Sequence, residues 1–313
     1  GYRVFLGGNI GTPLLDKAPE MTSDDWAVLE LSSFQLMDMK RSPQRALITN
    51  LAPNHLDIHK DMEEYVDAKK NIFKYQDKSG ILVLNADNAI TASFTGNGET
   101  RFFSRKKETN CVWEENGVIY RRGEQLLETK DILIPGTHNI ENYMAAIALV
   151  EGLASDDAIR QVARTFGGVE HRIELVRVKD GVRFYNDSIA SSPSRTIAGL
   201  RSFPEKVILI AGGYDKHIPY DVLGPEICKH VKKLFLGGAT GPKIRQAVES
   251  APEYRPGSPE ITDCADFTGA TLAAAQAAEA GDVVLMSPAS AAFDQFKNFM
   301  VRGEYYKKLI KEL

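Results

Sequence analysis

The feature that most constrains this chain is its alternation of short, fully apolar runs with amphipathic stretches of helical period. KVILIAGG, KLFLGG and DVVLMSP each run apolar without a polar break and stop at Gly or Ser-Pro. A strand of that kind needs cover on both faces, which a sheet between helices supplies. The same alternation is present earlier. Strands are expected at Arg3–Leu6, Trp26–Leu31, Arg45–Asn50, Ile81–Asn85 and Arg101–Ser104, with helices over Met62–Tyr75, Asn139–Leu153 and Asp156–Phe166. VWEENGVIYRRGEQLLE reads as a hairpin turning at Asn116-Gly117. The fold class is therefore α/β. A first domain, residues 1–168, has a mostly parallel sheet with helices and a small antiparallel hairpin; a second α/β domain, residues 169–313, is Rossmann-like. GGVEHR is the joint between them.

The second domain opens with a hairpin, Ile173–Val178 and Val182–Tyr185, turning at Asp180-Gly181. Helices follow near Ser194–Arg201, Leu223–His230, from Pro242 and near Ala265–Ala278, and an amphipathic helix closes the chain. A length of 313 residues suits two domains. The net charge of −4 argues against a general binder of nucleic acid or membrane surfaces. Three scattered cysteines without a CxxC pair read as reduced thiols of a cytoplasmic protein. No apolar run approaches the ~20 residues that span a bilayer, and no segment reads as a signal peptide.

NHLDIH, Asn54 to His59, has two histidines one helical turn apart, the spacing of a zinc helix. The zinc peptidase motif also needs Glu after the first His, and Leu56 stands there. The segment follows the strand LITNL and Pro53, so it begins in a loop. ELSSFQL likewise closes a strand, with Glu30 beside Ser32 and Ser33. Parallel α/β sheets bind ligands beyond the carboxyl ends of their strands. Glu30 and His55 at two such ends therefore suggest a shared site for a hard cation such as Mg²⁺. The Lys69-Lys70 pair in YVDAKKNIF, taken alone, is a solvated helix face.

The ordered series GNIG, ELSSFQL, TNLAPNHLDIH, YVDAKKNIF, GTHNIEN, HR, NDS and SPASAAFDQFKNFMVRG resembles the Mur ligases, and through them folylpolyglutamate synthase. The match runs from Gly8 to about Gly303. The tail SPASAAFDQF resembles the branch that adds D-glutamate. The resemblance implies a central ATP-binding domain followed by a C-terminal amino-acid-binding domain. It also implies an ATP-dependent amide ligase of peptidoglycan synthesis, bacterial and cytoplasmic, that joins D-glutamate to UDP-N-acetylmuramoyl-L-alanine through an acyl phosphate. In the family an N-terminal UDP-binding domain and a phosphate loop ending Gly-Lys-Ser/Thr precede the GNIG strand. No GxxxxGK[ST] stands in this sequence. The chain is thus expected to lack both, to bind ATP poorly and to turn over little alone.

By the same resemblance Glu30 is a Mg²⁺ ligand and His55 a second one near the acceptor, with His59 a bystander and Asp57 in support. Lys69 aligns with a lysine that CO₂ converts to a carbamate, a third ligand; Lys70 faces solvent. Asn9 and Ser32 contact the acceptor. Asn139 and Asn142 bind adenine, with His138 or Asn139 near a helix cap. Arg172 reaches ATP, and Asp187 binds the ribose. Lys216, Ser191 and Phe299 receive D-glutamate. The implied site draws on both domains, in a monomer that binds small molecules only. Two positions depart from the pattern. Ile189 replaces a lysine after NDS, and Ala292 replaces a hydroxyl residue after SPA, with Ser192, Ser287 and Ser290 as nearby stand-ins. The departures leave open a sister ligase for another amino acid, and the missing phosphate loop leaves open a non-catalytic nucleotide-binding module.

Overall fold

The computed structural model describes residues 1–9, 11–52 and 59–313. They form two compact units, Gly1–Thr129 with Glu141–Arg160, and Lys130–Ile140 with Gln161–Leu313.

In the first unit β1 (Val4–Gly8) and β2 (Trp26–Glu30) pair in parallel, with Gly8 opposite Glu30. Helix α1 (Ser33–Met37) follows β2 at once. A six-stranded sheet then comprises β3 (Arg45–Ile48), β4 (Ile81–Asn85), β5 (Glu99–Ser104), β6 (Val112–Glu115), β7 (Val118–Arg121) and β8 (Glu124–Glu128), side by side in chain order. Strands β3 to β6 are parallel; β7 and β8 are antiparallel. Asn116 and Gly117 both have positive φ, 52° and 80°. That left-handed pair suits a two-residue hairpin turn, because its twist matches the strands. Arg122 and Gly123 repeat the device at 52° and 91°. The expected hairpin is thus a three-stranded meander.

Between β3 and β4 lies α2 (Met62–Lys74). The Asp61 carboxylate caps it by accepting from the Glu64 N–H, and Glu63 and Glu64 in the first turn with Lys74 in the last complement the helix dipole. Tyr65, Ala68 and Phe73 turn inward, and Tyr65 and Phe73 pack on Leu82 and Leu84 of β4. Two further helices, α3 (Thr137–Val150) and α4 (Asp156–Thr165), have residues in both units.

The second unit has β9 (Glu174–Lys179), β10 (Val182–Asn186), α5 (Pro193–Leu200), β11 (Val207–Ala211), α6 (Leu223–His230) and β12 (Val231–Leu236). After them come α7 (Gly241–Glu249), β13 (Glu260–Asp263), α8 (Phe267–Gln276), β14 (Val283–Met286) and α9 (Phe299–Glu312). The sheet order is β13-β12-β11-β14-β10-β9, and only the β9–β10 hairpin is antiparallel. Successive residues of β11 and β14 enter opposite cores. Leu209 and Leu285 pack with Leu200, Leu223 and Ile244, while Ile208, Ile210, Val284 and Met286 pack with Phe267 and Tyr306. These are the strands that the unbroken apolar runs marked. The loops after β10, β11 and β14 leave the sheet from one edge, since those strands are parallel. They hold Asp187, Ser191, Lys216, Ser287 and Ser290.

Candidate active site

In the first unit three of the expected residues come together at the carboxyl ends of β1 and β2. The Asn9 N–H donates to the Glu30 carbonyl at 2.8 Å, and its side-chain amide lies 3.5 Å from Glu30 Oε1. Gly8 permits this approach. Its φ is +111°, and a Cβ there would fall 2.3 Å from the Glu30 carbonyl oxygen. Glu30 itself is exposed, so its carboxylate is open to a hard cation.

Lys69 reaches in from α2, and its Nζ donates to the Leu31 carbonyl at 3.2 Å. Burial lowers the Lys69 pKa, and the Glu30 charge opposes that shift. A lysine with a lowered pKa carries more of the neutral amine that adds CO₂. Its neighbour Lys70 is different: it pairs with Asp67 at 2.9 Å and lies 5.4 Å over the Phe94 ring.

Ser32 is the N-cap of α1. Its Oγ accepts from the Gln35 N–H at 3.3 Å, and its own N–H donates to Gln35 Oε1 at 2.9 Å, a capping box. Ser33 turns inward and meets His59 Nε2 at 2.9 Å. His59 is 2% exposed and stacks on Phe34 at 5.1 Å, as a structural histidine does. His55 and Asp57 lie outside the described residues.

Asn139 and Asn142 stand three apart on α3, on neighbouring positions of one face. Asn139 is already inside the helix, which begins at Thr137, and its amide donates to the Pro135 carbonyl at 2.6 Å. His138 and Asn139 thus lie in the first turn of α3, next to the expected cap.

In the second unit Asp187 follows β10 and is 3% exposed. Burial pushes its carboxyl up to about 7; a hydrogen bond from Ser287, the Ile173 N–H and the charges of Arg172 and Arg195 all oppose this. The Ser287 Oγ donates to Asp187 Oδ2 at 2.7 Å and lies 3.0 Å from the Thr196 hydroxyl. Gly199, inside α5, leaves the space: a Cβ there would meet Asp187 Oδ2 at 2.8 Å. An isolated Gly in a helical pattern was the available signal for this close approach; Ser287, a hundred residues away, gave none.

Lys216 is exposed on the loop after β11, while its neighbour Asp215 is engaged by Lys243 at 2.5 Å. Ser191 is half-buried ahead of α5. Phe299 opens α9 and meets His171 edge-on at 6.0 Å. Of the stand-ins for the hydroxyl absent at Ala292, two are committed elsewhere. Ser287 serves Asp187, and Ser290 is 1% exposed, bonded to Tyr220 at 2.8 Å and Thr240 at 2.7 Å. Ser192 remains, 3.3 Å from the Ser194 hydroxyl. A separate trio, Glu170, His171 and Glu304, has ligand atoms close enough for a metal. The Lys307 ammonium already bridges its two carboxylates, 2.6 Å from Glu170 and 2.9 Å from Glu304.

Glu30 is thus exposed at a strand end, and Lys69 is half-buried on α2. Residues 6–150 match the Mur ligase middle domain, and residues 171–290 match the Mur ligase glutamate ligase domain. The chain belongs to the Mur ligase family. More narrowly, it is 53% identical over 322 residues to the UDP-N-acetylmuramoylalanine–D-glutamate ligase of Acetivibrio thermocellus, covering all of this chain and 69% of that protein. The ligase of the same name from Clostridium beijerinckii is 47% identical over 316 residues, with the same coverage. The fold is also that of MurF ligase from Thermotoga maritima, solved in complex with ADP, at a TM-score of 0.60 and 17% identity over all of this chain and 75% of that one. Among the described residues no helix is long and apolar enough to cross a membrane.

Proposed function

We propose that this chain carries the catalytic residues of an ATP-dependent ligase that joins D-glutamate to UDP-N-acetylmuramoyl-L-alanine. The observation that carries the reading is the group at the ends of β1 and β2. There an exposed Glu30, the amide of Asn9 and a lysine whose amine is depressed by burial converge. The identity to D-glutamate ligases over the whole chain supports the choice of amino acid.

In this reading the Lys69 amine adds CO₂ and loses a proton, turning a cation into an oxygen donor. Glu30, His55 and that carbamate would hold Mg²⁺, which supplies charge neutralisation for the transferring phosphoryl group. Asn9 and Ser32 orient the acceptor carboxylate for phosphorylation. Asn139 and Asn142 offer donor and acceptor pairs to the adenine edge. Arg172 reaches ATP, and Asp187 accepts from the ribose. Lys216 binds a carboxylate of D-glutamate, with Ser191 and Phe299 beside it. The amine then attacks the acyl phosphate, and phosphate leaves as the amide forms. Positioning and charge neutralisation do most of the work, so no strong base is needed.

The test is phosphate release from ATP by the protein expressed with its native upstream sequence. The assay contains Mg²⁺, UDP-N-acetylmuramoyl-L-alanine and one amino acid at a time. Turnover with D-glutamate alone is expected. Turnover with another amino acid would replace the substrate and keep the chemistry; none with any would reject the ligase.

A further inference from the structure

Arg302 closes the tail motif KNFMVRG, and none of the roles above uses it. Its residue is 1% exposed. Nε donates to Ser188 Oγ at 3.0 Å and Nη2 to the Ser188 carbonyl at 2.9 Å. Nη1 donates to the carbonyls of Ser290 at 3.0 Å and Ala291 at 3.1 Å. All four acceptors are neutral. Burying a guanidinium is costly, and neutral acceptors return less of that cost than a carboxylate would. What only the guanidinium offers is a rigid planar fork that fixes several chain segments at once.

Those segments lead to the three residues assigned to the incoming amino acid. Ser188 lies on the loop that reaches Ser191, and its Oγ also donates to the Phe299 carbonyl at 2.7 Å. The Ala291 carbonyl, besides Arg302, accepts the Tyr214 N–H at 2.9 Å, two residues before Lys216. Gly213 makes this approach possible. A Cβ there would lie 2.4 Å from the Ala291 oxygen and 3.3 Å from Arg302 Nη1. The Ser290 hydroxyl, through Thr240 and Tyr220, braces the same loop. Asp187 has its own supports, the Ser287 hydroxyl and the Met286 carbonyl.

We infer that Arg302 is a positioning residue for the amino-acid substrate: through Ser188, Ala291 and the Phe299 carbonyl it holds Ser191, Lys216 and Phe299 in register. This inference rests on the ligase reading above. The test uses the protein with its native upstream sequence and the substitution Arg302→Lys, which keeps the charge and loses the fork. The KM for D-glutamate should rise about tenfold or more, since ~1 Å of misplacement can cost ~100-fold. The KM for ATP should stay within about twofold, because Asp187 is held separately. In Arg302→Ala, added guanidinium ion should restore part of the D-glutamate KM; if that variant does not fold, the lysine variant stands alone. An unchanged D-glutamate KM, or ATP and D-glutamate KM rising together, overturns the inference.

A wild-type protein that ligates no amino acid would reject the ligase reading instead. Amide hydrogen exchange then decides the positioning role by itself. Arg302→Lys should speed exchange at Tyr214 and Ile189 while the β11 amides stay protected. Equal exchange at Tyr214 and Ile189 in both proteins overturns it.

Discussion

Replacing Asp187 by Asn should stabilise the second unit at neutral and alkaline pH while removing the proposed ribose acceptor. The carboxyl is 3% exposed, and burial raises its pKa from 3.8 to about 7. Between those values the native state binds the proton more tightly than the unfolded chain does. Stability therefore falls as pH rises through the window from 3.8 to about 7, and is flat on either side. A shift of ~3 units at about 1.36 kcal/mol each makes the charged carboxylate cost ~4 kcal/mol at pH 8. The amide keeps an oxygen for the Ser287 hydroxyl but adds an NH₂, and leaving that unpaired costs about 1–3 kcal/mol. The variant should then be about 1–3 kcal/mol more stable than wild type at pH 8, and no more stable near pH 4. Urea unfolding from pH 4 to pH 8 reads this directly. Circular dichroism follows both units, whereas Trp26 and Trp113 both lie in the first, so fluorescence separates the transitions. An offset between variant and wild type that is the same at every pH would refute the reasoning. The same substitution should weaken ATP use, a trade of stability against function.

Two further outcomes follow from the clusters. Incubation with ¹³C-labelled bicarbonate should give a carbamate resonance by NMR that Lys69→Arg loses and Lys70→Arg keeps; a signal surviving Lys69→Arg would assign the carbamate elsewhere. Lys216→Ala should raise the D-glutamate KM by roughly tenfold to a hundredfold with kcat little changed, as loss of a charge-assisted hydrogen bond does; an unchanged KM would remove Lys216 from the substrate.

Much of the fold was legible because burial on both faces writes itself into a strand. Val207–Ala211 and Val283–Met286 have no polar residue and are buried throughout. Glu260–Asp263 is an edge strand with one half-buried side chain, so its sequence carries no such mark. Helix α1 has five residues, too few to show a period. The site divides the same way. Glu30, Lys69 and Asp187 could be named from ordered motifs, Glu30 and Asp187 at strand ends and Lys69 on α2. The environment that tunes them could not: Leu31 against Lys69, Ser287 and Gly199 against Asp187, and the Arg302 fork are long-range contacts that no local pattern encodes. For the same reason Ser287 and Ser290 looked available to replace the hydroxyl absent at Ala292, and only their partners show that they are not.

The central claim is that the acceptor carboxylate is activated as an acyl phosphate before the amine arrives. The most direct measurement uses UDP-N-acetylmuramoyl-L-alanine labelled with ¹⁸O in both carboxylate oxygens, with ATP and D-glutamate, in the protein expressed with its native upstream sequence. Mass spectrometry of the released phosphate should find one ¹⁸O per molecule, the other remaining in the new amide. Unlabelled phosphate, or label appearing in AMP, would contradict the account.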